Sequence, residues 1–229
     1  MQSFRTRDPL PRDLQQLRQR LLLMGARVED MIGRSTQALV ERDIDQARAT
    51  IMLDRKVNLD EVEIDDMCLR MLLSGTPRGA DLRFLTFAMK VVTDMERIGD
   101  LAVNICERAV ELSADGNPNP YLNIPEMAHC AADMLAGAID AFVHFDEPAA
   151  REVIRADDAL DELYHQVFRE RMAEVRAGAL DVDRAVRVQN VAKYLERIGD
   201  HCTNVAEHVI FLVEGTDIRH RGRRAAVGG

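Results

Sequence analysis

The chain repeats itself. Met95-Glu-Arg-Ile-Gly-Asp100 returns 100 residues later as Leu195-Glu-Arg-Ile-Gly-Asp200, and the match runs on through Asn104 and Asn204 to Glu107 and Glu207. Positions 95–110 and 195–210 share 7 identities in 16, where composition alone would supply roughly one. A duplicated unit must bury the same kind of surface in each copy, so both halves are constrained to one fold.

Proline and glycine mark the elements of that unit. Pro9 and Pro11 precede a helical pattern from about Asp13 to Arg42. A second runs from Ile44 to Leu73 and stops at Ser74-Gly75-Thr76-Pro77; a third runs from Ala80 to Leu112 and stops in the 115–120 segment. The rest repeats the plan, with helices expected over Ile124–Phe145, Pro148–Arg176 and Val182–Glu214. Asn123 and Glu126 have the spacing of an N-cap and its third helical residue. Aromatic residues are only 4% of the chain, with no Trp, and a sheet would draw on more of them. Helices of 30 residues are ~45 Å long, which suits elongated bundles. The expected fold is all-α, two tandem homologous three-helix bundles. Its expected bounds are an N-terminal arm at 1–13, repeats at 14–116 and 117–215, and a basic tail at 216–229.

Lys and Arg number 30 against 39 Asp and Glu, a net charge of −9. Phosphate backbones need clustered positive charge, so a general nucleic-acid binder is excluded. Four cysteines, Cys68, Cys106, Cys130 and Cys202, are too scattered for a disulfide scaffold or zinc ribbon and are expected to be reduced thiols. The N-terminal residues lack the apolar core of a secretory signal, and no run approaches the roughly 20 apolar residues of a membrane span. A soluble intracellular protein is expected. Arg5, Arg7 and Arg12 at one end and Arg219–Arg224 at the other are expected to be basic arms able to touch anionic lipid. Met67 and Met71, one turn apart, are expected to fill core.

At 100° per residue, Glu96, Asp100, Asn104 and Glu107 fall within about 80° of one another. Ile98, Ala102, Ile105 and Ala109 lie opposite. Glu196, Asp200, Asn204 and Glu207 repeat the stripe, opposite Ile198, Cys202, Val205 and Val209. Gly99 and Gly199 sit mid-helix, where Gly costs ~1 kcal/mol relative to Ala, and imply close approach of a neighbouring helix. On the preceding helix Asp54, Asn58, Glu61 and Asp65 make another stripe. If the two adjoin, the carboxylates repel one another unless cations neutralise them, and oxygen-only ligands suit Mg, Mn, Ca or Fe. The second half offers Asp157 and Asp161, with Tyr164 where Glu61 would recur, so its site is expected to be weaker, smaller or absent. A solvated acidic face with no ligand is the plain alternative.

The twin ERIGD segments resemble the two signature helices of the PhoU family, and Pro77-Arg-Gly-Ala-Asp-Leu-Arg83 resembles the entry to the first. Asp54-Arg-Lys-Val-Asn58 and Asp157-Asp-Ala-Leu-Asp161 stand where that family carries its other E/D-xxx-D motifs; Asn58 departs from the pattern. The resemblance spans about Leu14 to Glu214. It implies a cytoplasmic regulator, recruited to the inner face of the plasma membrane, that couples a phosphate ABC transporter through its ATPase subunit to a phosphate-sensing histidine kinase. Such a regulator represses the starvation response and uptake when phosphate is plentiful. The resemblance also implies a homodimer and metal ions (Fe, Zn, Mn or Mg). The first site would use Asp54, Asn58, Glu61, Glu96 and Asp100, and the second Asp157, Asp161, Glu196 and Asp200.

No GxxxxGK[ST] loop and no local nucleophile–base motif occurs, so the chain is not expected to be an enzyme. Two other readings compete. A ferritin-like di-iron oxidase would use Glu-x-x-His strings such as Glu126–His129 and Glu162–His165. A metal-free helical adaptor would use the bundle as a scaffold alone.

Overall fold

The computed structural model describes residues 12–75, 77–114 and 123–216. These form six helices: α1 (Arg12–Glu41), α2 (Ile44–Ser74), α3 (Ala80–Ala114), α4 (Ile124–His144), α5 (Glu147–Arg176) and α6 (Val182–Glu214). The fold is all-α, and each expected helix is present with its ends within a few residues. Arg12 begins α1 rather than belonging to the arm. Arg5, Arg7, Arg219–Arg224 and the 115–122 connection lie outside the described residues.

The duplication extends to the turns. Arg42 (φ 60°) and Phe145 (φ 50°) each take the left-handed conformation between two antiparallel helices. An Asp follows each and caps the next helix: Asp43 accepts from the Gln46 amide and Asp146 from the Ala149 amide. The amides of Asp43 and Asp146 close the turns onto Ala38 and Ala141. Each cap contributes about 1 kcal/mol. At α6, Asp181 accepts from the amides of Asp183 and Arg184, and left-handed Gly215 ends the helix on the Phe211 carbonyl.

The α4 start departs from expectation. Asn123 holds the N-cap position but makes no side-chain cap bond. Its amide instead donates to Glu170 Oε2 on α5 at 2.9 Å. Pro125 in the first turn removes one of the amides left unpaired at the helix start, and the Asn side chain ties α4 to α5 instead.

Within each repeat the helices pack pairwise, α1, α2 and α3 in one and α4, α5 and α6 in the other. The repeats meet through α3 on α6 and α1 on α4, which joins both interiors into one hydrophobic core. Phe142 of α4 enters the first repeat, with ring centroids 4.7 Å from Phe87 and 5.9 Å from Phe84 of α3. Arg18 of α1 lies over the Phe142 ring and donates to the Val143 carbonyl at 2.6 Å. Helices α2 and α5 are left on the outside, each with one face in its own repeat. Cys68, Cys106 and Cys202 are buried, Cys130 is half-buried, and all four are free thiols. Burial pushes the Cys68 and Cys106 thiols up to about 12, which keeps them protonated and unreactive at neutral pH. Met67 and Met71 pack against the core as expected. They also line an open cavity of about 530 Å³ with Asp13, Gln16, Arg70 and Leu73.

Candidate functional site: two acidic helix pairs

Gly99 lets α2 come close to α3. A β-carbon there would stand 3.3 Å from Val57 Cγ1 and 3.8 Å from Asp54 Oδ1. At Gly199 the approach is tighter: a β-carbon would stand 2.5 Å from Leu160 Cδ2 and 3.0 Å from Asp157 Oδ1 of α5. Each glycine therefore seats the outer helix against the ERIGD helix and aims an aspartate at the contact. The close approach implied by sequence is realised in both repeats.

In the first pair, the stripes adjoin. Burial raises the Asp54 carboxyl above its usual range, and the Asp100 charge raises it further. Burial also raises Glu96, with Asp100, Glu61 and Asp54 adding repulsion against partial relief from Arg97. Glu61 is raised by burial, with Asp65 and Asp100 repelling it. Asp54, Glu61, Glu96 and Asp100 are thus one electrostatic cluster. Arg97 offers a cation from the rim, 3.5 Å from Glu96 and 3.3 Å from Asp100. Asn58 donates to Asp54 Oδ2 at 2.9 Å. Its departure from an acid thus places a donor beside the most enclosed carboxylate. The other oxygen, Asp54 Oδ1, is buried without a hydrogen-bond partner.

The second pair carries a cation of its own. Asp157 is pushed up to about 6 by burial first, then by Asp161, Asp200 and Glu196. Lys193, whose counterpart in the first repeat is Thr93, places its ammonium 2.6 Å from Glu196 Oε1. The same ammonium lies 5.4 Å from the centre of the Tyr164 ring. The residue substituted for Glu61 therefore holds a built-in cation over the cluster.

The residue types and the orphaned Asp54 oxygen fit a hard cation, which would supply the missing positive charge. Among the described residues, however, no three His, Cys, Asp or Glu side chains are already gathered closely enough to enclose one. Asp161, Asp200 and Asn58 are exposed, so closure around an ion requires side-chain rotation. The ferritin-like strings lie elsewhere. Glu126, His129, Glu162 and His165 are all exposed, His129 bonds Asp133 and Glu162 bonds Arg169. Di-iron ligands would project into the bundle; these do not.

Sequence reasoning missed a third group. His201 Nδ1 of α6 lies 2.9 Å from Asp94 Oδ1 of α3, and His208 Nε2 lies 3.5 Å from Asp94 Oδ2. Asn204 donates to the same carboxylate at 3.2 Å. Asn204 therefore serves the interface between repeats and does not extend the acidic stripe. The available signal was divergence: at the 100-residue offset Asp94 faces Tyr194, His201 faces Leu101 and His208 faces Arg108.

The family model described as PhoU domain matches this chain twice, over residues 21–109 and 124–209. The chain belongs to the PhoU family. Among curated PhoU relatives, the phosphate-specific transport system accessory protein PhoU homolog of Pseudomonas putida is 36% identical over 211 residues, spanning 92% of this chain and 82% of its own. The PhoU protein of Escherichia coli K12, named as a phosphate-specific transport system accessory protein, is 30% identical, with 92% and 87% covered. The crystal structure of PhoU from Pseudomonas aeruginosa superposes with a TM-score of 0.85 at 34% identity, covering 89% of this chain and 98% of that one. PhoU from Streptococcus pneumoniae, at 24% identity and a TM-score of 0.83, shares the fold. Among the described residues no helix is long and apolar enough to cross a membrane.

Proposed function

We propose that this protein is a regulatory accessory component of a phosphate transport system. It couples a phosphate ABC transporter, through the ATPase subunit, to a phosphate-sensing histidine kinase, and it represses the starvation response and uptake when phosphate is plentiful. The supporting observation is the double PhoU match, which lies over both acidic helix pairs. The protein works in the cytoplasm at the inner face of the plasma membrane and acts by binding. The acidic pairs supply ligands and charge, with no nucleophile held by a base.

A cation at the first pair would be held by Asp54, Glu61, Glu96 and Asp100, with the Asn58 carbonyl oxygen available once its amide turns. At the second pair Asp157, Asp161, Glu196 and Asp200 are the candidates, in competition with Lys193. The ion's contribution would be neutralisation of converging carboxylates, which fixes the outer helix against the ERIGD helix and presents one charged surface to a partner.

Deleting the gene and measuring phosphate uptake and phosphate-responsive transcription in replete medium tests this reading. Both should rise without the protein and return to normal on complementation. Unchanged uptake and transcription in the deletion strain would refute it.

A further inference from the structure

The two acidic pairs find their cations in different places. In the first pair Arg97 offers one from the rim, 3.5 Å from Glu96 and 3.3 Å from Asp100. Thr93, a turn earlier, gives its hydroxyl to the Met89 carbonyl at 3.4 Å. In the second pair Arg197, the counterpart of Arg97, is exposed, and the counterpart of Thr93 is Lys193. The Lys193 ammonium covers both oxygens of Glu196, at 2.6 and 2.5 Å, and Asp200 also acts on its charge. The Glu196 side chain is only 14% exposed, so little of it is left for another cation. Tyr164, where the first pair has Glu61, removes a carboxylate and sets its ring centre 5.4 Å from the ammonium. The two exchanges act together: one takes away an oxygen ligand, the other brings a positive charge to the aromatic face that replaced it.

We propose that Lys193 is the resident cation of the second acidic pair and keeps hard metal ions out of it. The ammonium stands where an ion would neutralise Glu196, and its tether holds it there at an effective concentration on the order of millimolar. An arriving ion must strip it from Glu196 and receives no carboxylate from Tyr164 in exchange. Asp157, Asp161 and Asp200 remain, but hard cations are held most tightly where charged oxygens are many. The duplicated chain is thereby asymmetric. Its first pair is open to a metal ion, and its second carries a fixed positive charge.

The role given to Lys193 rests on the proposal that these acidic pairs attract metal ions, and the two fail in different ways.

The experiment is equilibrium dialysis of the full chain against Mn(II). The wild-type protein is expected to take up Mn(II), to lose it in Asp54→Asn/Asp100→Asn and to keep it unchanged in Asp157→Asn/Asp200→Asn. Lys193→Gln keeps a long side chain at a position 45% exposed, so circular dichroism should show unchanged helix. Without the tethered charge, Mn(II) binding at the second pair should tighten about tenfold or more. That added binding should vanish when Asp157→Asn/Asp200→Asn is combined with Lys193→Gln. Lys193→Arg keeps the charge and should bind Mn(II) as the wild type does. Uptake lowered by Asp157→Asn/Asp200→Asn with Lys193 in place would overturn the proposal, as would a Lys193→Gln protein that binds no more than wild type. If wild type binds none while Lys193→Gln binds Mn(II) through Asp157 and Asp200, the role of Lys193 stands and the first-pair metal reading falls. No Mn(II) in either protein would overturn both.

Discussion

Asp94 of α3 and His201 of α6 meet at 2.9 Å across the boundary between the two repeats. The carboxylate is 14% exposed and receives His208 and Asn204 as well. All three partners lie on α6, so one side chain of the first repeat holds three of the second. Burial alone would raise the Asp94 carboxyl, but these partners more than reverse that and hold it at about 2.

This latch should make stability acid-sensitive in a defined window. A carboxyl depressed in the folded state stabilises above its unfolded value, near 4, and that contribution vanishes as pH falls toward 2. Roughly 2 kcal/mol is at stake. Urea unfolding should show wild-type stability falling between about pH 4 and 2, with a shallower fall in Asp94→Asn. At pH 7 Asp94→Asn should be destabilised by roughly 1–3 kcal/mol. Equal slopes in the two proteins would show that Asp94 is not the group responsible.

The two interface glycines should respond unequally to alanine. At Gly199 a methyl group meets fully buried Leu160, whose side chain must shift within a packed core, and Asp157 Oδ1. Gly199→Ala should cost about 1–3 kcal/mol despite the better helix propensity. At Gly99 the nearest atom is 3.3 Å away, so strain and the ~1 kcal/mol propensity gain nearly cancel. Thermal melts of the two variants measure this, and a Gly99→Ala loss as large as that of Gly199→Ala would contradict the packing difference.

The acidic pair at Asp157 carries the opposite pH dependence to Asp94. Its carboxyl is raised to about 6 when folded, so the folded state binds the proton more tightly. Metal-free protein should therefore gain stability as pH falls from about 6 toward 4. Asp157→Asn should stabilise the metal-free protein at pH 7 and flatten that rise. A stability curve through this range that is the same in wild type and Asp157→Asn would mean that burial and its acidic neighbours do not raise the Asp157 carboxyl.

The fold was legible because the repeat and its turns are written in local chemistry: a stop at Gly75 and Pro77, and core residues at helical spacing. The approach of α2 to α3 was legible from a single unexplained glycine used twice. Other features depend on which side chains a long-range contact brings together. The Asn123 side chain bonds Glu170 in place of its own helix start, and that partner, 47 residues away, has no local signal. The Lys193–Glu196–Tyr164 group was hidden because Tyr164 read as a lost ligand, when its ring carries the ammonium. Asp94, His201 and His208 have no periodic signature, and only the folded pairing of α3 with α6 joins them.

The most direct test of the account is elemental analysis of purified protein beside an Asp54→Asn/Glu96→Gln/Asp100→Asn variant, after both are loaded with the same divalent or ferric ion and desalted. The account predicts bound metal in the wild type, a clear loss in the variant, and a rise in thermal stability on loading confined to the wild type. Equal metal content in both proteins, or none in either, would contradict it.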